Sequence, residues 1–167
     1  MSLDNIQLPP ITITRLFRKS LVGLKSSQPS SAQKGTGDVF AILGKNQKGV
    51  LVIINDAGNA FLKDGELDFL LGILSACKLN MDDAGILNLN KYKDADYKKI
   101  SAGLTAEVLL LFGPAPEDIK LPLSFPAYQI QKYNSQTYLC APPLATLQHD
   151  KAEKAKLWNC LKQIFSI

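Results

Sequence analysis

From Asp38 onward the chain alternates strand-sized apolar runs with helical stripes, and this alternation leaves few architectures open to it. Val50 to Ile54 is apolar throughout, and so is Val108 to Phe112 within the expected strand Glu107 to Phe112, which ends at Gly113. Runs of this length suit strands and fall far short of the roughly 20 residues that span a bilayer. Val39 to Leu43 reads as a further strand, joined to Val50–Ile54 as a hairpin through the turn Gly44-Lys45-Asn46-Gln47-Lys48-Gly49, and Ala84 to Leu89 reads as another. Leu67, Leu70, Leu71 and Leu74 repeat at helical spacing from an N-cap at Asp64 to about Leu79, which predicts a helix apolar on most faces and well buried. Ala95 to Leu104 forms a second helical stripe through Tyr97, Ile100 and Leu104. Beyond the proline-rich loop from Pro114 to Pro126, Tyr128–Gln131 and Thr137–Cys140 flank Tyr133-Asn134-Ser135 as a second hairpin, stopped by Pro142-Pro143. A last helix is expected from Asp150 to Phe165, with Asp150 and Glu153 at capping-box spacing. Leu157, Trp158, Leu161, Ile164 and Phe165 would share its sheet-facing side. The prediction is an α/β domain of three layers, α/β/α, around a mostly parallel central sheet.

Residues 1–37 are of another kind. Residues 26–37 contain no large apolar side chain, so ordering them would cost backbone entropy with nothing to bury, and they read as a flexible linker between an arm (1–25) and the domain (38–167). In the arm, Ile13, Leu16, Phe17, Leu21 and Leu24 fall on one helical stripe opposite Arg15, Arg18, Lys19 and Lys25. Five basic residues against Asp4 alone place the chain's whole formal excess of +4 in residues 1–37; the rest balances at fourteen of each sign. So short an amphipathic helix is not stable alone, and its stripe needs either its own domain or a partner's groove. The start of the chain lacks the order of a secretory signal, so a cytoplasmic location is expected. Cys77, Cys140 and Cys160 are widely spaced and odd in number, and they read as buried reduced thiols rather than a disulfide or zinc framework.

Motifs for chemistry are sparse. Gly44 to Gly49 lacks the lysine and hydroxyl of a phosphate loop and runs into a strand, and no cofactor motif is found elsewhere. His149 is the single histidine and reads as a surface residue. The loop from Asn55 to Ala60 is the most site-like stretch because it follows a central strand, where open α/β sheets place ligands; Asn55, Asp56 and Gly58 are also ordinary turn formers. Lys91, Lys93, Lys98 and Lys99 around Tyr92 and Tyr97 form a basic, aromatic patch interrupted by Asp94 and Asp96, which reads as a solvated face.

Val50-Leu-Val-Ile-Ile-Asn-Asp56, the helix after it, and Ala141-Pro-Pro-Leu-Ala-Thr-Leu147 leading through Lys154-Ala-Lys-Leu-Trp158 resemble the psi-subunit family of the bacterial DNA polymerase III holoenzyme. The resemblance implies a uracil-DNA glycosylase-like fold without catalysis or cofactor. It also implies a tethered N-terminal segment that binds the clamp-loader ATPase, here through Ile11, Ile13, Leu16, Phe17 and Leu21, and a chi-like subunit on the domain. Glycosylases place a water-positioning group after the first core strand and a histidine before the last helix. Here Asn55 and Asp56 correspond to the first, Cys140 stands at the histidine's place, and Pro142 and Pro143 follow, so the comparison implies a vestigial pocket in which Asp56 lacks the cation that stabilises the leaving base. The expected function is a non-enzymatic accessory subunit of the replicative polymerase, with no membrane contact and at most weak, indirect contact with nucleic acid. A glycosylase-like base-excision enzyme and a small nucleic-acid-binding module are the alternatives.

Overall fold

The computed structural model describes residues 40–167. The predicted arm and linker, the anchors Ile11, Ile13, Leu16, Phe17 and Leu21, and the start of the first predicted strand lie outside the described residues. Along the described chain run β1 (Leu43–Gly44), β2 (Val50–Ile54), α1 (Asp64–Ala76), β3 (Ala84–Asn88), α2 (Tyr97–Gly103), β4 (Val108–Phe112), β5 (Ile130–Tyr133), β6 (Gln136–Ala141), α3 (Leu144–His149) and α4 (Lys151–Phe165). The six strands form one mixed sheet in the order β1-β3-β2-β4-β6-β5. Its inner four strands are parallel, with Val50 opposite both Ala84 and Val108, and β1 and β5 close the two edges antiparallel.

Alternation along the inner strands splits the core in two. Val50, Val52 and Ile54 face α1, α3 and α4 through Leu70, Leu74, Leu147, Leu157 and Leu161. Leu51 and Ile53 face the other way, toward Ile100 of α2, Ile119, Phe125 and Tyr138. Burial on both faces is why these strands read as continuous apolar runs rather than alternating ones. Among the described residues the second face is covered by α2, by two short 3-10 turns at Leu89–Lys91 and Pro116–Ile119, and by irregular chain.

Two expectations are corrected here. The first predicted hairpin does not form, because both edges of β2 are taken by parallel partners and β1 lies beyond β3. Residues 46–48 instead donate their backbone N–H groups to the carbonyls of Ala84, Asp82 and Asp83. Gly44 makes that crossing possible: its φ is +104°, and a Cβ there would collide with the carbonyl oxygens of Ala84 and Met81. The helix expected to be well buried is the other correction. α1 ends at Ala76, Lys63 rather than Asp64 is its N-cap residue, and only Leu70 and Leu74 are buried. The second hairpin does form, with its first strand at Ile130–Tyr133 rather than Tyr128–Gln131 because Tyr128 takes a positive φ, and with Asn134 and Ser135 both at positive φ in its turn, as the twist of paired strands favours. Asp150 caps α4 by accepting from the N–H groups of Ala152 and Glu153, whereas the Glu153 carboxylate turns to Tyr128 and Lys156.

Candidate functional site

The order in which strands are added to the sheet reverses between β2 and β4, since β2 leads outward to β3 and the chain then returns past β2 to β4 and β6. Beyond the carboxyl ends of strands on either side of such a reversal, neighbouring loops part and leave a crevice. A cavity of about 230 Å³ lies there, lined by Ile54, Asn55, Asp56, Lys63, Phe112 and Pro143 among others. Glu66 and the start of α3 complete its wall.

Asp56 is held in a turn of its own making. One carboxylate oxygen accepts from the N–H groups of Gly58 and Asn59, at 2.7 and 3.1 Å, and the other accepts from the Asn59 side-chain amide at 2.9 Å. These bonds, the Asn59 amide first, outweigh the effect of desolvation and hold the carboxyl below its ordinary pKa, with Lys63 contributing. Lys63 also lines the crevice, so a cation stands on the same wall as Asp56. A carboxylate so bonded is ionised at neutral pH, and three of its acceptor positions are directed into the loop.

Asn88, at the end of β3 and 1% exposed, fixes that loop from below. Its Oδ1 accepts from the backbone N–H groups of Asp56 and Asn90, and its Nδ2 donates to the carbonyls of Asp56 and Asn59. Asn90 in turn donates from its side chain to Asn55 Oδ1. Sequence reasoning missed Asn88, Lys63 and Glu66. A polar residue closing the run Ala84-Gly-Ile-Leu-Asn88 was the available signal for the first.

Of the other predicted pocket residues, Asn55 and Pro143 line the crevice. Pro142 is half-buried and lies outside the lining set. Cys140 does not share the crevice: its side chain belongs to the core on the opposite face, where desolvation raises the thiol to about 11. A thiol with that value is protonated at neutral pH and is a poor nucleophile. His149 is exposed at the far end of α3 from the crevice.

In the basic, aromatic patch, Tyr92 is committed to structure. Its hydroxyl accepts from the Ala41 N–H at 2.6 Å, and its ring packs edge-on against Phe40. Tyr97 packs against Tyr133 of β5, Lys98 lies 5.9 Å from the Tyr97 ring centre, and Asp96 caps α2 through the Lys99 N–H. Among the described residues no cluster of three or more His, Cys, Asp or Glu side chains is arranged to hold a metal ion. No helix among them is long and apolar enough to cross a membrane. Neither a protein-family model nor a curated protein matches the chain.

Proposed function

We propose that the chain is a non-enzymatic accessory subunit of a replicative DNA polymerase, similar to the psi family, whose N-terminal arm tethers it to the clamp-loader ATPase. On this reading the domain has the glycosylase-like form of the α/β fold and serves as a scaffold, and its crevice is vestigial. One observation carries the non-catalytic part: Asp56 accepts three hydrogen bonds that hold its own loop, while Cys140, at the place of the glycosylase histidine, lies in the opposite core. Base excision needs a positioned water and a preorganised charge opposite the leaving base, and neither residue is disposed to supply them. The arm's role rests on its amphipathic stripe and on the resemblance.

Lys63 gives a second reading its footing, because a cation beside Asp56 is an element that a base-excising site requires. Incubating the purified chain with uracil-containing single and double strands separates the two. Intact substrate is expected, and release of free uracil would establish the glycosylase-like enzyme instead.

A further inference from the structure

α1 carries six large apolar side chains, Leu67, Phe69, Leu70, Leu71, Ile73 and Leu74, of which only two are buried. Phe69 and Ile73 line a trough between α1 and α4, bounded on the α4 side by Leu157, Trp158 and Leu161 and about 440 Å³ in volume. Gly72 also lines it, and a Cβ at that position would meet nothing within 4 Å. Glycine weakens a helix interior, and nothing in the domain's own packing requires one there. The trough is therefore open and apolar, with room beside Gly72.

Charge divides the two helices that form it. α1 contains Asp64, Glu66 and Asp68 and no basic residue, whereas α4 contains Lys151, Lys154, Lys156 and Lys162 against Glu153 alone. The helices thus carry net charges of three negative and three positive, and one charge of each sign, Asp68 and Lys154, stands on the two margins of the apolar strip. A strip of that kind is complementary to itself: a second copy turned through a two-fold axis lays its basic helix along the first copy's acidic one and closes apolar surface between them. We infer that the α1–α4 face is a self-association surface, on which two copies of this chain pair with α1 of each against α4 of the other. In that arrangement Asp68 opposes Lys154 of the partner subunit, and the half-buried Trp158 is covered. The chain itself supplies the charge pattern that its trough demands.

Sedimentation of the full chain over the micromolar range tests this. The expected mass rises from 18.3 kDa toward twice that value with concentration, and the rise weakens in high salt. Asp68→Lys and Lys154→Glu should each weaken association by about tenfold or more, because each sets like charges against one another across the pair. Mixed in equal amounts, the two variants should associate again, since both cross-pairs are then opposite in sign. Lys154 also donates to the Gln148 carbonyl and lies over the Phe69 ring, so a variant that leaves the domain's packing alone is needed as well. Gly72→Glu puts a charge into open space, and it should abolish association without lowering the unfolding midpoint. A full chain that stays at 18.3 kDa throughout the series overturns the inference, including the case in which the trough holds a different protein. So does association that Gly72→Glu leaves intact, or a mixture of the two charge variants that remains monomeric.

Discussion

Asn88 does not line the crevice, yet it holds the loop that does. Its buried carboxamide joins the end of β3 to the loop after β2 through bonds to both the N–H and the carbonyl of Asp56. Asn88→Ala strands those groups, and an unsatisfied buried group costs about 1–3 kcal/mol. We expect a loss of about 3 kcal/mol in urea unfolding, with faster amide exchange at residues 56–60 and little change at β4. Asp56 adds a pH dependence to the same loop. Its folded pKa lies below the ordinary value of 3.8, so its contribution is complete above that value and is lost as pH falls through the folded pKa. In Asp56→Asn this part of the acid dependence disappears. The variant's unfolding midpoint should therefore fall less steeply than the parent's below about pH 4; equal slopes would mean that the loop's hydrogen bonds survive protonation.

Among the elements, α4 is the clearest case of a helix whose pattern was legible while its burial was not. Leu157, Leu161 and Cys160 are buried, but Trp158 is only half-buried, with Lys162 lying 5.6 Å from its ring centre. Full emptying of a buried aromatic site does not apply to it. Leu161→Ala should cost about 3 kcal/mol and Trp158→Ala about 1–2 kcal/mol, in the reverse order of side-chain size. Denaturant midpoints of the two variants check this. The bounds of β2 and most of β4 could be read directly, because a strand buried on both faces must be apolar at every position. The partner of β1 could not be. Strand pairing is non-local, and Gly44 to Gly49 looks like a hairpin turn although β3 claims that edge. The same limit hid the site: Asn55 and Asp56 were marked by their place after a central strand, whereas Asn88 and Lys63 join them only through the fold. Cys140 sits one residue before the end of β6, so the alternation of the strand sends its side chain to the face opposite the crevice.

At the scale of the whole molecule, a near-neutral α/β domain is expected to act as a scaffold while a separate basic, amphipathic segment supplies the attachment. Such a division makes the two parts separable, because residues 26–37 offer no large apolar side chain with which to pack. Deleting residues 1–30 should leave the unfolding midpoint unchanged, which scanning calorimetry reads directly. Charge should act on the rate of association: replacing Arg15, Arg18 and Lys19 by glutamine slows it and flattens its salt dependence. Phe17 and Leu21 should supply much of the affinity, at about 2 kcal/mol each, so that Phe17→Ala with Leu21→Ala weakens binding about a thousandfold. The most direct test is a calorimetric titration of the clamp-loader ATPase subunit from the same source with the full chain and with the chain lacking residues 1–30. The account predicts saturable binding by the full chain and none by the truncated one at an unchanged unfolding midpoint. Undiminished binding after truncation, or no binding by the full chain, would contradict it.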